Sequence, residues 1–114
     1  MLIAQLAVAL VVLLHVVFAA AESIGWQAFA TRMGYSRGRI EATRQLAANQ
    51  GAYNLGIAAM LGWSMMFGNW DAVAMLLAFI VVMGIVGALT VRWTIFVVQG
   101  IPAILGLALV GLTS

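Results

Sequence analysis

At 114 residues, 66% of them hydrophobic and only 7% charged, with a mean hydropathy of +1.16, the chain is far poorer in charge than a soluble domain, which carries roughly a quarter charged residues. A soluble fold is excluded and a membrane protein is implied. The net charge of +2 comes from five arginines and no lysine, all beside apolar segments; this excludes nucleic acid as a partner, and the lack of cysteine excludes disulfides, thiol chemistry and Cys-ligated metal.

A membrane-crossing helix needs about 20 apolar residues, so four spans with short connections fill the chain as one domain, 1–114. Helices are required because an open strand leaves backbone groups unsatisfied in lipid. Span one is expected at about 2–24, interrupted by Gln5, His15, Glu22 and Ser23. Phe18-Ala19-Ala20-Ala21-Glu22 looks like a signal-peptide cleavage site. The basic n-region is missing and the apolar run is too long, so a retained span is expected. A basic connection follows at 25–41 with Arg32, Arg37 and Arg39. Span two is expected at 42–67, beginning near Ile40 as an amphipathic turn with Glu41 and Arg44 and entering the membrane near Leu46. Span three, 71–89, has no polar residue in its interior, which suits a face turned to lipid or to another subunit. Span four, 93–112, carries Gln99 and Pro102; the proline strands the Val98 carbonyl and predicts a bend.

The arginines set the orientation. Four lie in or just beyond the first connection and Arg92 lies in the third, while the turn Gly68-Asn69-Trp70-Asp71 has one acid and no base. Under the positive-inside rule the first and third connections face the cytoplasm and both termini face outward. The expected fold is therefore an all-α membrane protein, an up-down antiparallel bundle of four transmembrane helices. Ala48, Ala52 and Gly56, four apart, would admit a close neighbour, as would Gly84 and Ala88. Gly100, Gly106 and Gly111 would loosen span four.

Polar residues gather in one stretch, Leu46-Ala47-Ala48-Asn49-Gln50-Gly51-Ala52-Tyr53-Asn54-Leu55-Gly56, which runs straight into apolar sequence. Gln50, Tyr53, Asn54 and Ile57 share a helical stripe, and Asn49 shares the adjoining edge with Tyr53. His15 and Glu22, seven apart, share a face of span one about 10 Å apart along the axis, with Trp26 near the same face. In antiparallel packing Glu22 meets the level of Asn49 and Gln50, and His15 meets that of Asn54. Gln99 lies about 9 Å into span four. All are expected in the cytoplasmic half of the bundle. Ionisable groups inside a membrane are functional candidates, but the bland alternatives stay open: interhelical glue, Glu22 snorkelling to the interface, Tyr53 as a packed ring, and Gln99 mending the ladder broken by Pro102. His15 and Glu22 are the candidate catalytic proton donor and acceptor. Asn49, Gln50, Tyr53, Asn54, Gln99 and Trp26 are the candidate ligand-binding set. One histidine, one glutamate and amides make a poor metal site, and no motif calls for a cofactor.

The amide stretch, with His15 and Glu22 upstream, a basic connection and two plain spans after it, resembles a family of small bacterial membrane proteins known as domain of unknown function 1304. The resemblance covers nearly the whole chain. It implies a four-span inner-membrane protein of unassigned activity with His15, Glu22, Asn49, Gln50, Tyr53 and Asn54 at motif positions.

The leading functional expectation is an intramembrane pocket that binds a lipid-like small molecule, with proton-transfer isomerisation as an extension by fold-level analogy. A small proton-coupled transporter is one alternative, although five arginines on one side weigh against insertion in both orientations. An accessory subunit of a larger membrane complex, with the polar cluster as glue, is the other. The bilayer is an expected partner under every reading, and a homo-oligomer stays open.

Overall fold

The computed structural model describes residues 1–113. Its order is α1 (Leu2–Glu22), α2 (Trp26–Arg32), α3 (Arg37–Met66), α4 (Trp70–Thr90), a π-helical turn (Phe96–Gly100), and α5 (Ile101–Thr113). No strand occurs among the described residues. Leu2–Glu22, Trp70–Thr90 and Phe96–Thr113 are each long and apolar enough to cross a membrane, and the chain is a membrane protein. α3 is longer than any of them at 30 residues, but its N-terminal two-thirds carries three arginines, Glu41 and the amides.

Local chemistry sets the helix ends. The Ser36 hydroxyl accepts from the Arg39 N–H (3.2 Å) and the Asn69 side chain from the Ala72 N–H (3.1 Å), both N-caps that satisfy an otherwise orphan donor. Asp71 adds a negative charge to the first turn of α4, favourable against the helix dipole. Between α3 and α4 the chain reverses at Gly68, whose φ of 68° suits glycine.

The connection placed at 25–41 proves to be largely helical. α2 occupies its first half, and α3 starts at Arg37 rather than near residue 42. Trp26 and Ala30 of α2 close over Ile40 and Ala47 of α3, with Met33 and Tyr35 packed beside them. Burial of that small apolar cluster is what folds the segment. Arg44 clips the two helices from outside, donating to Gln27 Oε1 (2.8 Å) and to Glu41 Oε1 (2.7 Å). The guanidinium holds the Glu41 carboxyl below its ordinary range by hydrogen bonding and charge.

Each long helix buries one stripe at three- and four-residue spacing, as interlocking helices require. In α1 it is Ala4, Val8, Val11, His15 and Ala19; in α3 Ala47, Gly51, Asn54, Ala58 and Leu61; in α4 Val73, Leu77, Ile80 and Gly84. The main core joins Val8 and Val11 to Leu61, Leu77, Ile80 and Ala103. α1 packs chiefly on α3 and also meets α5, while α4 packs on the π turn and α5. Both main pairs are antiparallel. Val12 lies beside Gly62 whereas Ala19 and Glu22 lie beside Gly51, and Gly84 lies beside Gly100 whereas Leu77 lies beside Gly106.

Close approach falls on other small residues than the spacing suggested. Ala48 and Ala52 are exposed, and a Cβ on Gly56 would meet nothing within 4 Å. Gly51 serves instead: a Cβ there would stand 2.9 Å from the Ala19 carbonyl oxygen. The Ala48 stripe lies off the heptad-like face that α3 turns to α1, and Gly51 lies on it. Gly84 does admit a neighbour, the backbone of Gly100 at 3.1 Å from its missing Cβ, so Gly100 is packed rather than loose. At Pro102 the expected bend takes the form of the π turn. Proline has no N–H for the Val98 carbonyl; the chain widens by one residue just before it, and the Ile101 N–H bonds Phe96 O.

Candidate functional site

Gly51 creates the first element of the site. With no side chain between them, the C-terminal turn of α1 lies directly on α3, and the Cβ of Glu22 sits 3.4 Å from where a Gly51 Cβ would be. Asn54, one turn along the same face, is buried, and its Nδ2 donates to Glu22 Oε1. The carboxylate is half-buried. In such surroundings, removing one partner leaves the other desolvated.

Asn54 also borders a cleft of about 590 Å³ among α3, α4 and the π turn. Its polar lining is Gln50, Tyr53, Asn54 and Gln99; Ile57, Phe79 and Met83 form the apolar wall. Gln50, Tyr53 and Asn54 come from successive turns of α3. Gln99 comes from the π turn, which sets it on the opposite side. Tyr53 is 66% exposed, as befits a residue at the mouth. The side chains of Gln50, Tyr53 and Gln99 have no hydrogen-bond partner among the described residues. Among the described residues no charged side chain lines the cleft. Amide and phenol groups both donate and accept, so the lining suits a neutral polar group.

The other expected site residues lie elsewhere. His15 fills a core position of α1 and is 1% exposed. Its Nδ1 lies 2.9 Å from the Val11 carbonyl oxygen, which can only accept, so Nδ1 carries the proton. Nε2 is buried without a partner among the described residues. Phe18 covers the ring edge-on at 5.4 Å between centroids. His15 does not line the cleft. Asn49 is exposed, two residues off the buried stripe and outside the cleft. Trp26 belongs to the α2–α3 cluster: its indole N–H donates to Thr43 Oγ1 (3.2 Å) and its ring meets Tyr35 edge-on. Among the described residues no three His, Asp or Glu side chains group as metal ligands would.

Phe79 and Met83 were not anticipated, because span three has no polar residue to draw attention. Their four-residue spacing was the available signal. Gly51 was equally hidden, since its role is to be absent where α1 passes.

Neither a curated protein nor a solved structure matches the chain. A family model, Protein of unknown function (DUF1304), matches residues 9–111 and so takes in α3, the cleft and the Glu22–Asn54 pair. The chain belongs to that family.

Proposed function

We propose that this is a four-span protein of the bacterial inner membrane whose cleft binds the polar end of a lipid-like small molecule. In this reading the spans form an up-down four-helix bundle. α3 is the fourth span, crossing from about Leu46 to Met66, a rise of about 30 Å that matches the hydrocarbon thickness. Both termini face outward, since every arginine lies in or beside the connections assigned to the cytoplasm. The cleft then opens sideways to lipid in the cytoplasmic half of the bilayer.

The observation that carries the reading is the set of unpaired polar groups. Gln50, Tyr53 and Gln99 converge on one cleft from two elements and spend none of their hydrogen-bonding capacity on the protein. Unsatisfied amides in a hydrocarbon environment are costly. Structural glue would pair them with each other; a ligand site leaves them free. Asn54, by contrast, is held by Glu22 and gives the cleft a rigid floor. Binding is favoured over isomerisation because His15 lies apart from the cleft and general acid–base work needs both groups within reach of one substrate.

The test is saturable photolabelling of the protein in nanodiscs by a long-chain alcohol with a diazirine beside its hydroxyl. The expected result is labelling of the Gln50–Ile57 segment that unlabelled alcohol competes away, and its loss in the Gln50→Leu/Gln99→Leu variant. Labelling that spreads over lipid-facing residues and does not saturate would reject a site.

A further inference from the structure

The polar cleft does not end at Met60. A second hollow, of about 510 Å³, lies farther along the same seam of α3 and α4 and is lined by Met60, Trp63, Ser64, Met75 and Leu76, with Ala59 and Ala72. Met60 borders both hollows, so they meet end to end along one seam. From Gln50 to Trp63 α3 rises about 20 Å. The amides and the phenol all stand at one end. The other end is apolar but for the Ser64 hydroxyl and the Trp63 indole N–H.

Two features restrict the occupant. First, among the described residues no arginine, aspartate or glutamate lines either hollow. Phosphate and carboxylate heads are held by cationic forks, and an ammonium head would want a carboxylate; groups that both donate and accept suit a neutral hydroxyl or carbonyl. Second, the apolar walls are rich in methionine: Met60, Met75 and Met83. Methionine is unbranched and adaptable, which fits a flexible chain rather than a rigid fused ring.

We infer that the groove takes a neutral single-chain amphiphile. Its hydroxyl or carbonyl lies among Gln50, Tyr53 and Gln99, and its chain runs past Met60 toward Trp63 and Met75, away from the arginine-rich end of α3. This rests on the binding reading above and adds to it the class of ligand and its direction.

The experiment uses the full chain in nanodiscs and two probes built on one long-chain alcohol, with the diazirine beside the hydroxyl or at the chain end. The head probe is expected on the Gln50–Asn54 region and the end probe on Trp63 or Met75, both saturably. The carboxylic acid and trimethylammonium analogues should compete at least about tenfold more weakly, a difference of about 1.4 kcal/mol. Met60→Trp, at an exposed position between the hollows, should weaken competition by the long-chain alcohol and spare that by a short-chain alcohol. Saturable head labelling with the end probe outside the groove, or with charged analogues competing equally, overturns this inference and leaves the binding reading standing. Absence of any saturable head labelling overturns both. A cross-linked dimer through the α3–α4 seam that excludes both probes means that a second copy fills the groove, and also overturns it.

Discussion

Glu22 and Asn54 tie α1 to the cleft through a side-chain hydrogen bond. Polar pairs between membrane helices average about 0.6 kcal/mol and reach about 2 kcal/mol, and Asn54 is buried, which places this pair in the upper part of that range. A double-mutant cycle with Glu22→Leu and Asn54→Leu, followed by unfolding in detergent, should give a coupling of about 1–2 kcal/mol. A coupling near zero would mean that the pair contributes nothing. His15 calls for the opposite expectation. Its Nε2 is buried without a partner among the described residues, and the Val11 carbonyl stays within the α1 ladder when the imidazole is gone. His15→Leu should therefore leave stability unchanged or raise it by up to about 1 kcal/mol, since an unmet polar group is removed. His15→Ala should cost about 2–4 kcal/mol through the cavity it opens. Comparable losses for Leu and Ala, in thermal unfolding, would show that Nε2 makes a stabilising bond of its own. At this scale the sequence was informative about residue type and less so about grouping. A histidine and a glutamate seven apart do share a helix face, but only Glu22 lies where α1 passes Asn54. His15 falls on the tightly packed part of the stripe, and helix spacing alone does not tell the two places apart.

At the scale of elements, glycines decide which faces meet. Gly51 and Gly56 stand in one helix and differ in surroundings. A Cβ at 51 collides with the Ala19 carbonyl oxygen, and one at 56 meets nothing. Gly51→Val should cost about 1–3 kcal/mol by forcing α1 off α3. Gly56→Ala should be neutral or stabilise by up to about 1 kcal/mol through helix propensity. Equal effects in unfolding experiments would contradict the close contact. The long helices were legible because long apolar runs admit little else in lipid. α2 was hidden because its apolar stripe, Trp26 and Ala30, is too short to read without the Ile40 and Ala47 it packs on. The consequence of Pro102 was legible in kind, a disturbed helix, but not that the π turn would pack its Gly100 on Gly84. That contact joins residues far apart in sequence, and no local pattern announces it.

For the molecule as a whole, the arginines and the cleft belong to one description. The chain has no cysteine, so single introduced thiols report topology cleanly. Gly38→Cys, at an exposed position in the basic segment, should react only from the cytoplasmic side. Phe67→Cys, at the opposite end of α3, should react only from outside. Reaction of both from both sides would mean dual insertion and would favour a transporter. Reaction of each thiol from its own side alone would fix the depth of the cleft and the end toward which a chain would run. The most direct measurement is an experimental structure of the protein in lipid nanodiscs. The account predicts elongated non-protein density in the α3–α4 groove, one end within hydrogen-bond distance of Gln50, Tyr53 or Gln99 and the rest passing Met60 toward Trp63. A groove closed by its own side chains, with those three polar groups bonded to one another, would contradict it.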